Sequence, residues 1–341
     1  MKAFLVERPG AARLVEIEPP GIREDEVLLR VRAATICHSD QQILRGIRTE
    51  KLAFPLVPGH EFAGTVVTAG SYVHHLRPGD PVACEGMAWC GRCPACRDGA
   101  TGLCANYDEM GCTRPGGFAE LVAVPARCCH PAAGISFESL AAAEPAANAL
   151  AAVDAAAIEP GDTLVVIGVG PIALLAIQIA RTRFPAAIIA VGTRDERLAR
   201  AAELGATTCV NARSVDAAAE VMRITRGSGA RRIIQCGPTR EAFELAVAVA
   251  AFDATVAIEG TPDAPGSLGV PLGTFVARHL TLAGVTGYTT GGYRRVVEMI
   301  RQGAIDPSRI VTHRFPLESI EDAFALLESR RDGVLKVAIV P

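Results

Sequence analysis

The hydrophobic pattern divides the chain into a part rich in short strands and a part in which strands alternate with helices. Up to about residue 135, short runs of Val, Ile and Leu are separated by Pro and Gly, as in EVLLRVRAA, FAGTVVTAG and FAELVAVP. Such runs, bounded by turn residues, predict a β-rich, barrel-like domain. Residues 136–157 predict a helix that Ser136 caps and Pro145 breaks or restarts.

The pattern changes from Asp162 onward. Six strand-like runs, from TLVVI to LTLAGV, alternate with amphipathic helical segments. This alternation predicts a parallel sheet with right-handed crossovers, and six strands fit a Rossmann fold. The tail, 288–341, predicts two amphipathic helices and a closing strand, LKVAIV, that we expect to rejoin the first domain. The predicted domains are therefore 1–147 with 287–341, and 148–286.

Length and composition narrow the class of protein. A chain of 341 residues exceeds what one compact core usually holds, which agrees with two domains. The net charge of −3 argues against a nucleic-acid or acidic-membrane partner. No apolar run reaches the roughly 18 residues that a membrane span needs, and the N-terminus lacks the apolar core of a signal peptide. We expect a soluble cytoplasmic protein with a small-molecule partner.

Four of the eleven cysteines are clustered on one Gly- and Pro-rich loop, CGRCPACRDGATGLC. They are Cys90, Cys93, Cys96 and Cys104. Clustered thiols in a reducing compartment indicate metal ligands, and four thiolates form a closed tetrahedral structural zinc site. An iron–sulfur cluster also uses four cysteines, and four incidental cysteines are the third alternative. The long arm to Cys104 favours zinc.

A second group of metal-binding residue types is spread over three motifs. TICHSD contains Cys37, PGHEFAG contains His60 and Glu61, and AAAEPAAN contains Glu144. A thiolate, an imidazole and a carboxylate leave the fourth position open, which is typical of a catalytic zinc. Each residue alone is more often a turn or core residue. Because the residue before a proline is disfavoured in a helix, we expect Glu144 at a helix break.

A glycine-rich turn follows the first strand of the alternating part, in LVVIGVGPIALLAIQIA. Gly168 allows the tight turn, Gly170 allows the backbone to approach a pyrophosphate, and Ala173 allows close helix–sheet packing. The N-terminus of the next helix then offers unpaired N–H groups to an anion. The alternative is a purely structural turn in an α/β domain without a cofactor.

In chain order, CHSD, GHEFAGTVV, the four-cysteine loop, EP, GVGPIA and VTHRFPLESIEDAFALL resemble the zinc-containing alcohol/polyol dehydrogenases of the medium-chain dehydrogenase/reductase family. The resemblance covers nearly the whole chain. It implies a GroES-like catalytic domain beside the Rossmann domain, two zinc ions per chain, and hydride transfer to or from a nicotinamide cofactor. It also implies a homodimer or homotetramer with an interface near residues 270–300.

By this resemblance, catalytic roles fall on a small set of residues. The zinc ligands are Cys37, His60 and Glu144, with Glu61 as an alternate ligand. Ser39 matches the hydroxyl that contacts the substrate oxygen and starts a proton relay, and Asp40 matches a partner that orients the histidine. Many members end the relay with a histidine where this chain has Gln42. Since a glutamine amide cannot take up and release a proton near neutral pH, the substrate proton must leave through ribose hydroxyls and water, or through another group.

The junction after the second strand of the alternating part predicts the type of cofactor. An acid there usually binds the ribose hydroxyls of NAD, but this chain has Gly192, Thr193 and Arg194. Gly leaves space, while the Thr hydroxyl and the Arg guanidinium suit a 2′-phosphate, and NADP-preferring members of the family have a similar run. The alternatives are a capping Thr193 with a solvated Arg194, and NAD(H) or dual use. The predicted cofactor-binding residues are Gly168, Gly170, Pro171, Ile172, Gly192, Thr193, Arg194, Arg197 and Lys336.

A glutamate at the third zinc-ligand position resembles polyol and sugar-alcohol dehydrogenases. We therefore expect a polyol, sugar alcohol, cyclitol or other secondary alcohol, or its ketone, as substrate. The alternatives are an NAD-dependent dehydrogenase of simple secondary alcohols and a non-catalytic NADPH-binding protein that keeps the fold. A zinc-free quinone or enoyl reductase is disfavoured because such members lack the Cys/His/Glu set.

Overall fold

A computed structural model describes residues 1–47, 52–260, 272–331 and 333–341. The described chain forms two compact units. The first unit comprises Met1–Ala147 and Tyr288–Pro341, and the second comprises Asn148–Gly287. The sequence-based boundary before the tail lies one residue earlier, after residue 286.

The elements of the first unit are mostly short strands. Before the second unit, the chain forms β1 (Lys2–Arg8), β2 (Ala11–Glu16), β3 (Glu26–Thr35), α1 (His38–Arg45), β4 (Glu61–Ala69), β5 (Pro81–Cys84), β6 (Met87–Ala88), α2 (Pro94–Arg97), β7 (Asp108–Glu109), β8 (Leu121–Pro125), β9 (Cys129–Pro131) and α3 (Phe137–Ala141).

The second unit alternates strands with helices, after a helix that begins in the first unit. The elements are α4 (Ala143–Ala155), β10 (Thr163–Ile167), α5 (Pro171–Arg181), β11 (Ala187–Gly192), α6 (Asp195–Leu204), β12 (Thr208–Asn211), α7 (Ala217–Ile224), β13 (Ala230–Gln235), α8 (Arg240–Ala248), β14 (Ala250–Ile258), α9 (Leu272–Arg278) and β15 (Thr281–Gly284). The tail adds α10 (Thr290–Arg301), β16 (Val311–Pro316), α11 (Ile320–Ser329) and β17 (Lys336–Val340) to the first unit.

The main sheet of the first unit has the strand order β16-β17-β3-β4-β5-β9, with β8 also paired to β3. The predicted closing strand does rejoin the first domain, because β17 pairs with β3. Side chains alternate along β3, so Val27, Leu29 and Val31 enter one hydrophobic core with Phe62 and Ile339. This arrangement confirms the prediction of a β-rich unit.

The second unit contains a parallel sheet with the strand order β12-β11-β10-β13-β14-β15 in the described residues. This order confirms the predicted Rossmann sheet. From β10 the chain builds the sheet outward to β12, and then returns to β13 on the other side of β10. Ligands of such sheets bind outside the carboxyl ends of the strands at this reversal, which here lies between β10 and β13.

The helical segment at 136–157 is correctly predicted as helix, but its break is misplaced. Ser136 does cap α3, since its Oγ accepts a hydrogen bond from the Ser139 amide at 3.2 Å. The break falls at Ala142, and both Glu144 and Pro145 are helical. Pro145 is tolerated because it lies in the first turn of α4, where a backbone N–H has no helical partner to lose. The expectation of a non-helical Glu144 is therefore wrong.

A buried ion pair joins two strand ends in the second unit. Arg232 on β13 donates from Nε to Asp162 Oδ2 at 2.7 Å, and less than a tenth of either side chain is exposed. Asp162 Oδ2 also accepts from the Glu159 amide at 3.0 Å. Burial raises the pKa of Asp162, but these hydrogen bonds and the Arg232 charge outweigh it, so the pKa lies below its ordinary value.

We expect Asp162→Asn to lower the free energy of unfolding by about 3 kcal/mol at pH 7, because it leaves a buried guanidinium without its counter-charge. Since the folded-state pKa is depressed, the stabilisation is complete above the unfolded pKa of about 3.9 and is lost as the pH falls through the lower folded value. Urea denaturation at pH 7 and pH 5 should give the same difference. Asp253→Asn breaks the exposed pair with Arg231 and should cost at most about 1 kcal/mol. Equal losses in the two variants would contradict the prediction.

Candidate active site

Three of the predicted metal ligands lie together in the first unit. The ligand atoms of Cys37, His60 and Glu61 are all within 4.8 Å of one another. Cys37 immediately precedes α1, and Glu61 begins β4, where it pairs in register with Thr35 of β3. Neighbouring strands thus bring together residues that are far apart in sequence.

A glycine fixes the turn that carries His60. Gly59 has a φ of +97°, which disfavours any residue with a side chain. A Cβ at Gly59 would also lie 2.9 Å from the Phe118 ring. The glycine of the PGH motif is therefore required by the backbone, which in turn places the imidazole.

Asp40 faces the imidazole, as the resemblance implies. Asp40 Oδ1 lies 3.7 Å from His60 Nδ1, while Oδ2 accepts from the Cys37 amide at 2.8 Å. Burial lowers the pKa of His60, but the charges of Cys37 and Asp40 outweigh burial and raise it well above its usual value. Burial in turn raises the pKa of Asp40, against the effect of His60.

Three buried polar atoms in this cluster have no hydrogen-bond partner in the part of the chain that the structure describes. They are Ser39 Oγ, Asp40 Oδ1 and His60 Nδ1. An unpaired buried polar atom costs free energy, so three of them in one cluster are consistent with a ligand that pairs with them. The donor set of sulfur, imidazole nitrogen and carboxylate fits a zinc ion, and Ser39 fits a neighbouring oxygen ligand.

Glu61 is already neutralised within the protein. Lys336 Nζ lies 2.7 Å from Glu61 Oε1 and 2.6 Å from Oε2, and Thr35 Oγ1 donates to Oε2. Burial lowers the pKa of Lys336, but the charges of Glu61 and Cys37 raise it by more, so the pKa lies above its ordinary value. The sequence assigns Lys336 to the cofactor site; the structure places its ammonium on Glu61, and the cofactor role stays a prediction. A lysine inside the apolar run LKVAIV was the sequence signal for a buried acidic partner.

Glu144 lies beside the cluster but outside it. Its side chain is buried in the first turn of α4. Gly86 packs against both residues, since a Cβ there would lie 2.9 Å from His60 O and 3.6 Å from Glu144 Cγ. Glu144 still raises the pKa of His60 and Lys336. Glu61, and not Glu144, belongs to the group of ligand atoms within 4.8 Å of Cys37 and His60.

The four cysteines of the loop converge on one point. All four Sγ atoms lie within 4.8 Å of one another, and the Cys93–Cys104 distance is 3.9 Å. Zn–S bonds of about 2.3 Å in a tetrahedron imply S–S distances of about 3.8 Å. Backbone N–H groups of Arg92 and Cys93 lower the pKa of Cys90 to about 6, whereas burial raises the pKa of Cys96 to about 12. The geometry fits a closed tetrahedral zinc site.

The glycine-rich turn lies at the carboxyl end of β10 in the second unit. Gly168 has a φ of +111°, and its amide donates to Val191 O at 2.8 Å. Gly170 is the N-cap of α5 without a side-chain cap, Pro171 is the first residue of the helix, and Ile172 follows it. A Cβ on Gly170 would meet no atom within 4 Å. This open helix N-terminus fits an anionic pyrophosphate.

The Gly-Thr-Arg run lies at the carboxyl end of β11. A Cβ on Gly192 would lie 2.5 Å from Val169 Cγ2, so this glycine makes room for a neighbouring valine. Arg194, not Thr193, is the N-cap of α6, and no side chain caps that helix. Arg194 forms no ion pair within the described ranges, Thr193 is exposed, and Arg197 is half-buried. The capping alternative for Thr193 thus has no support.

Sequence reasoning missed Glu259, which follows β14 at the carboxyl edge of the same sheet. Its amide donates to Gln235 O at 2.9 Å, next to the end of β13. Burial raises the pKa of its carboxyl to about 7. An acid directly after the apolar run ATVAI was a usable signal, because strand ends at this edge face the ligand crevice.

None of the described helices is both long and apolar enough to cross a membrane.

Comparison with known proteins identifies both units. Residues 23–134 match the alcohol dehydrogenase GroES-like domain, and residues 171–302 match the zinc-binding dehydrogenase domain. The chain is 33% identical to an L-threonine 3-dehydrogenase of Bacillus subtilis over 100% of this chain and 99% of that protein. It is 29% identical to a sorbitol dehydrogenase of the same organism, with 100% and 97% covered.

Solved structures agree in fold. A zinc-binding dehydrogenase from Sinorhizobium meliloti 1021 bound to NADP has a TM-score of 0.92 at 30% identity, with 100% and 99% of the two chains covered. An alcohol dehydrogenase from Escherichia coli CFT073 complexed with NADH has a TM-score of 0.93 at 27% identity, with the same coverage. The chain therefore belongs to the zinc-containing alcohol/polyol dehydrogenases of the medium-chain dehydrogenase/reductase family.

Proposed function

We propose that this protein is a zinc-dependent oxidoreductase that transfers a hydride between NADP(H) and a secondary alcohol or its ketone. The proposed substrate class is a polyol, a sugar alcohol or a cyclitol. The observation that carries this proposal is the cluster of Cys37, His60 and buried carboxylates beside the unpaired hydroxyl of Ser39. Similarity to a sorbitol dehydrogenase supports the substrate class.

Cys37, His60 and Glu144 are the proposed ligands of the catalytic zinc. Glu61 is closer to Cys37 and His60, but both of its oxygens are engaged by Lys336, and one also accepts from Thr35. Releasing Glu61 to a metal would leave a buried ammonium without its counter-charge, which is unfavourable. Glu61 is therefore the alternate ligand. A second, structural zinc is proposed at the four-cysteine loop.

When bound, the zinc supplies a Lewis acid for the substrate oxygen and the nicotinamide supplies the hydride acceptor. Ser39 Oγ accepts the proton of the substrate hydroxyl as the C–H bond breaks, and passes it toward solvent. The Asp40 carboxylate faces Nδ1 of His60 at 3.7 Å, so its charge favours a proton on Nδ1 and would leave Nε2 for the metal. The overall balance is alcohol and NADP⁺ giving ketone, NADPH and one proton.

The cofactor preference is proposed from Thr193 and Arg194. Arg194 has no acidic partner in the described residues, so its guanidinium is available to a 2′-phosphate. No acid stands at the end of β11 to repel that phosphate. One similar protein is known with NADP and another with NADH, so the preference needs a direct test.

A homodimer or homotetramer is also part of the proposal. The strand β15 ends its sheet with Leu282 exposed, and α9 exposes Leu272 and Val276. Apolar side chains along a sheet edge favour pairing with another chain. Residues 270 and 271 of the predicted interface lie outside the described residues.

We propose a cytoplasmic location, where cysteine thiols stay reduced and free to bind zinc.

We expect Cys37→Ser to lower turnover by at least about 10³-fold, because loss of the Lewis acid removes several kcal/mol of transition-state stabilisation. Metal analysis should show one zinc per chain in place of two, with an unchanged circular dichroism spectrum. Cys209→Ser, at an exposed cysteine, is the matched control and should keep both zinc ions. Undiminished turnover in a Cys37→Ser protein with one zinc would refute the assignment.

We expect Arg194→Ala to weaken NADP⁺ binding by about 10- to 100-fold, which is the loss of one charge-assisted hydrogen bond. Binding of NAD⁺ should change by less than about twofold, because it lacks the 2′-phosphate. Fluorescence titration with each nucleotide measures both constants. Arg200→Ala, on the same helix but paired with Glu203, should leave both constants unaltered. A parallel loss for both nucleotides would count against a phosphate pocket.

A substrate panel tests the proposed function as a whole. Polyols, cyclitols, simple secondary alcohols and L-threonine would each be assayed with NADP⁺ and with NAD⁺. We expect the highest kcat/KM for a polyol or cyclitol with NADP⁺, by about tenfold or more over simple alcohols, since lost polar contacts cost 1–3 kcal/mol each. A preference for L-threonine or a simple alcohol would overturn the substrate class, and a preference for NAD⁺ would overturn the cofactor assignment.

A further inference from the structure

A buried polar network lies directly behind the proposed catalytic ligands in the first unit. Its centre is Gly86, two residues after β5. A Cβ at this position would lie 2.9 Å from His60 O, 3.1 Å from His60 Cβ and 3.6 Å from Glu144 Cγ. The backbone of Gly86 is therefore packed against both residues. Because protein interiors are close-packed, a displacement of Gly86 must displace His60 or Glu144.

Tyr288 fixes the backbone of Gly86. The Gly86 amide donates to Tyr288 Oη at 2.9 Å, and both groups are buried. Burial, together with the charges of Glu144 and Glu85, raises the pKa of Tyr288 well above its usual value, so the hydroxyl remains neutral. The ring packs 5.5 Å from that of Tyr293. No sequence motif pointed to Tyr288, since the tail helices were interpreted only by their hydrophobic pattern.

The same segment of the chain also contacts the four-cysteine loop. The Thr290 amide donates to Thr101 Oγ1 at 2.7 Å, and a Cβ on Gly102 would lie 2.5 Å from Tyr288 O. Thr101 and Gly102 lie between Cys96 and Cys104. The loop that holds the structural metal thus packs directly on residues 288–290.

Glu85 fastens the segment from the other side. Thr290 Oγ1 lies 3.0 Å from each oxygen of Glu85, and Oε1 is also 2.7 Å from His130 Nε2. All three side chains are buried, so these bonds are not exchanged for water. Residues 288–290 are therefore held between the four-cysteine loop and the chain at Glu85 and Gly86.

We propose that Tyr288 is a positioning residue, whose hydroxyl holds His60 and Glu144 in metal-binding geometry through the Gly86 amide. Residues 288–290 thereby transmit the order of the four-cysteine loop to the catalytic ligands. The inference rests on the proposed catalytic zinc site at Cys37, His60 and Glu144. It adds a mechanical role for the four-cysteine loop, through its contacts with residues 288–290.

The first test is the rate of zinc transfer to a chromogenic chelator. The wild-type protein should release zinc in two phases, and Cys37→Ser should abolish the phase of the catalytic site. In Tyr288→Phe, that phase should be about tenfold faster, because the buried Gly86 amide loses its acceptor. The phase of the four-cysteine loop should stay within twofold. The turnover number should fall while the KM for the nucleotide is unchanged.

Tyr293→Phe is the matched control for Tyr288→Phe. Tyr293 is equally buried and belongs to the same network, but its hydroxyl donates to Cys84 O at 2.8 Å and does not contact Gly86. It should lower thermal stability without accelerating the catalytic phase. Equal acceleration of the catalytic phase in both variants, or no acceleration in Tyr288→Phe, would overturn this inference and leave the proposed function intact. A single zinc per wild-type chain that Cys37→Ser leaves in place would overturn the proposed catalytic site and the inference with it.

Thr101 tests the link to the four-cysteine loop without altering Tyr288, and remains decisive should Tyr288→Phe fail to fold. Thr101→Val removes the acceptor of the Thr290 amide, whereas Thr101→Ser keeps it. We expect Thr101→Val to accelerate the catalytic phase about threefold and Thr101→Ser to resemble the wild type. Acceleration of the loop phase alone in Thr101→Val would overturn the link.

Discussion

The requirement that a buried charge be compensated governs the centre of the first unit. Glu61 and Lys336 are both almost inaccessible to solvent, and each would be strongly unfavourable there without the other. Their pairing depends on the strand order β17-β3-β4, in which Thr35 lies opposite Glu61 on one side and Ala338, two residues after Lys336, on the other. The register of these strands therefore determines the electrostatics around Glu61 and the proposed metal ligands. Shifting β17 by one residue would turn Lys336 to the opposite face of the sheet and leave Glu61 unpaired.

Local pattern was sufficient to predict the fold. Hydrophobic runs, turn residues and the change of rhythm near Asp162 indicated the β-rich unit and the parallel sheet, because both patterns follow from burial of one or two faces of a strand. The metal-binding character of the four-cysteine loop was equally predictable, since all four cysteines lie within 15 residues of sequence. In both cases the relevant contacts are local or periodic, and a single sequence contains that information.

Features that depend on contacts distant in sequence were harder to predict. The sequence offered Glu61 and Glu144 as carboxylate ligands, but only the fold shows that Lys336 occupies Glu61. The sequence places the helix break at Pro145, but the structure has it at Ala142. In the first turn of a helix, packing outweighs the preference of a residue before proline for an extended backbone. The sequence predicts that Gly192 leaves space for a phosphate, whereas in the fold the Val169 side chain packs against Gly192. In each case a neighbour that the sequence does not reveal decided the outcome.

The pairing of Glu61 with Lys336 also has a consequence for the order of folding. The two residues are separated by 275 positions, and the whole second unit lies between them in the chain. While a ribosome is still making residues 148–287, Glu61 can be synthesised and in place but has no ammonium to compensate it. The second unit has its own core and its own sheet, so it is free to fold first. The Glu61–Lys336 pair can therefore form only after β17 has left the ribosomal tunnel.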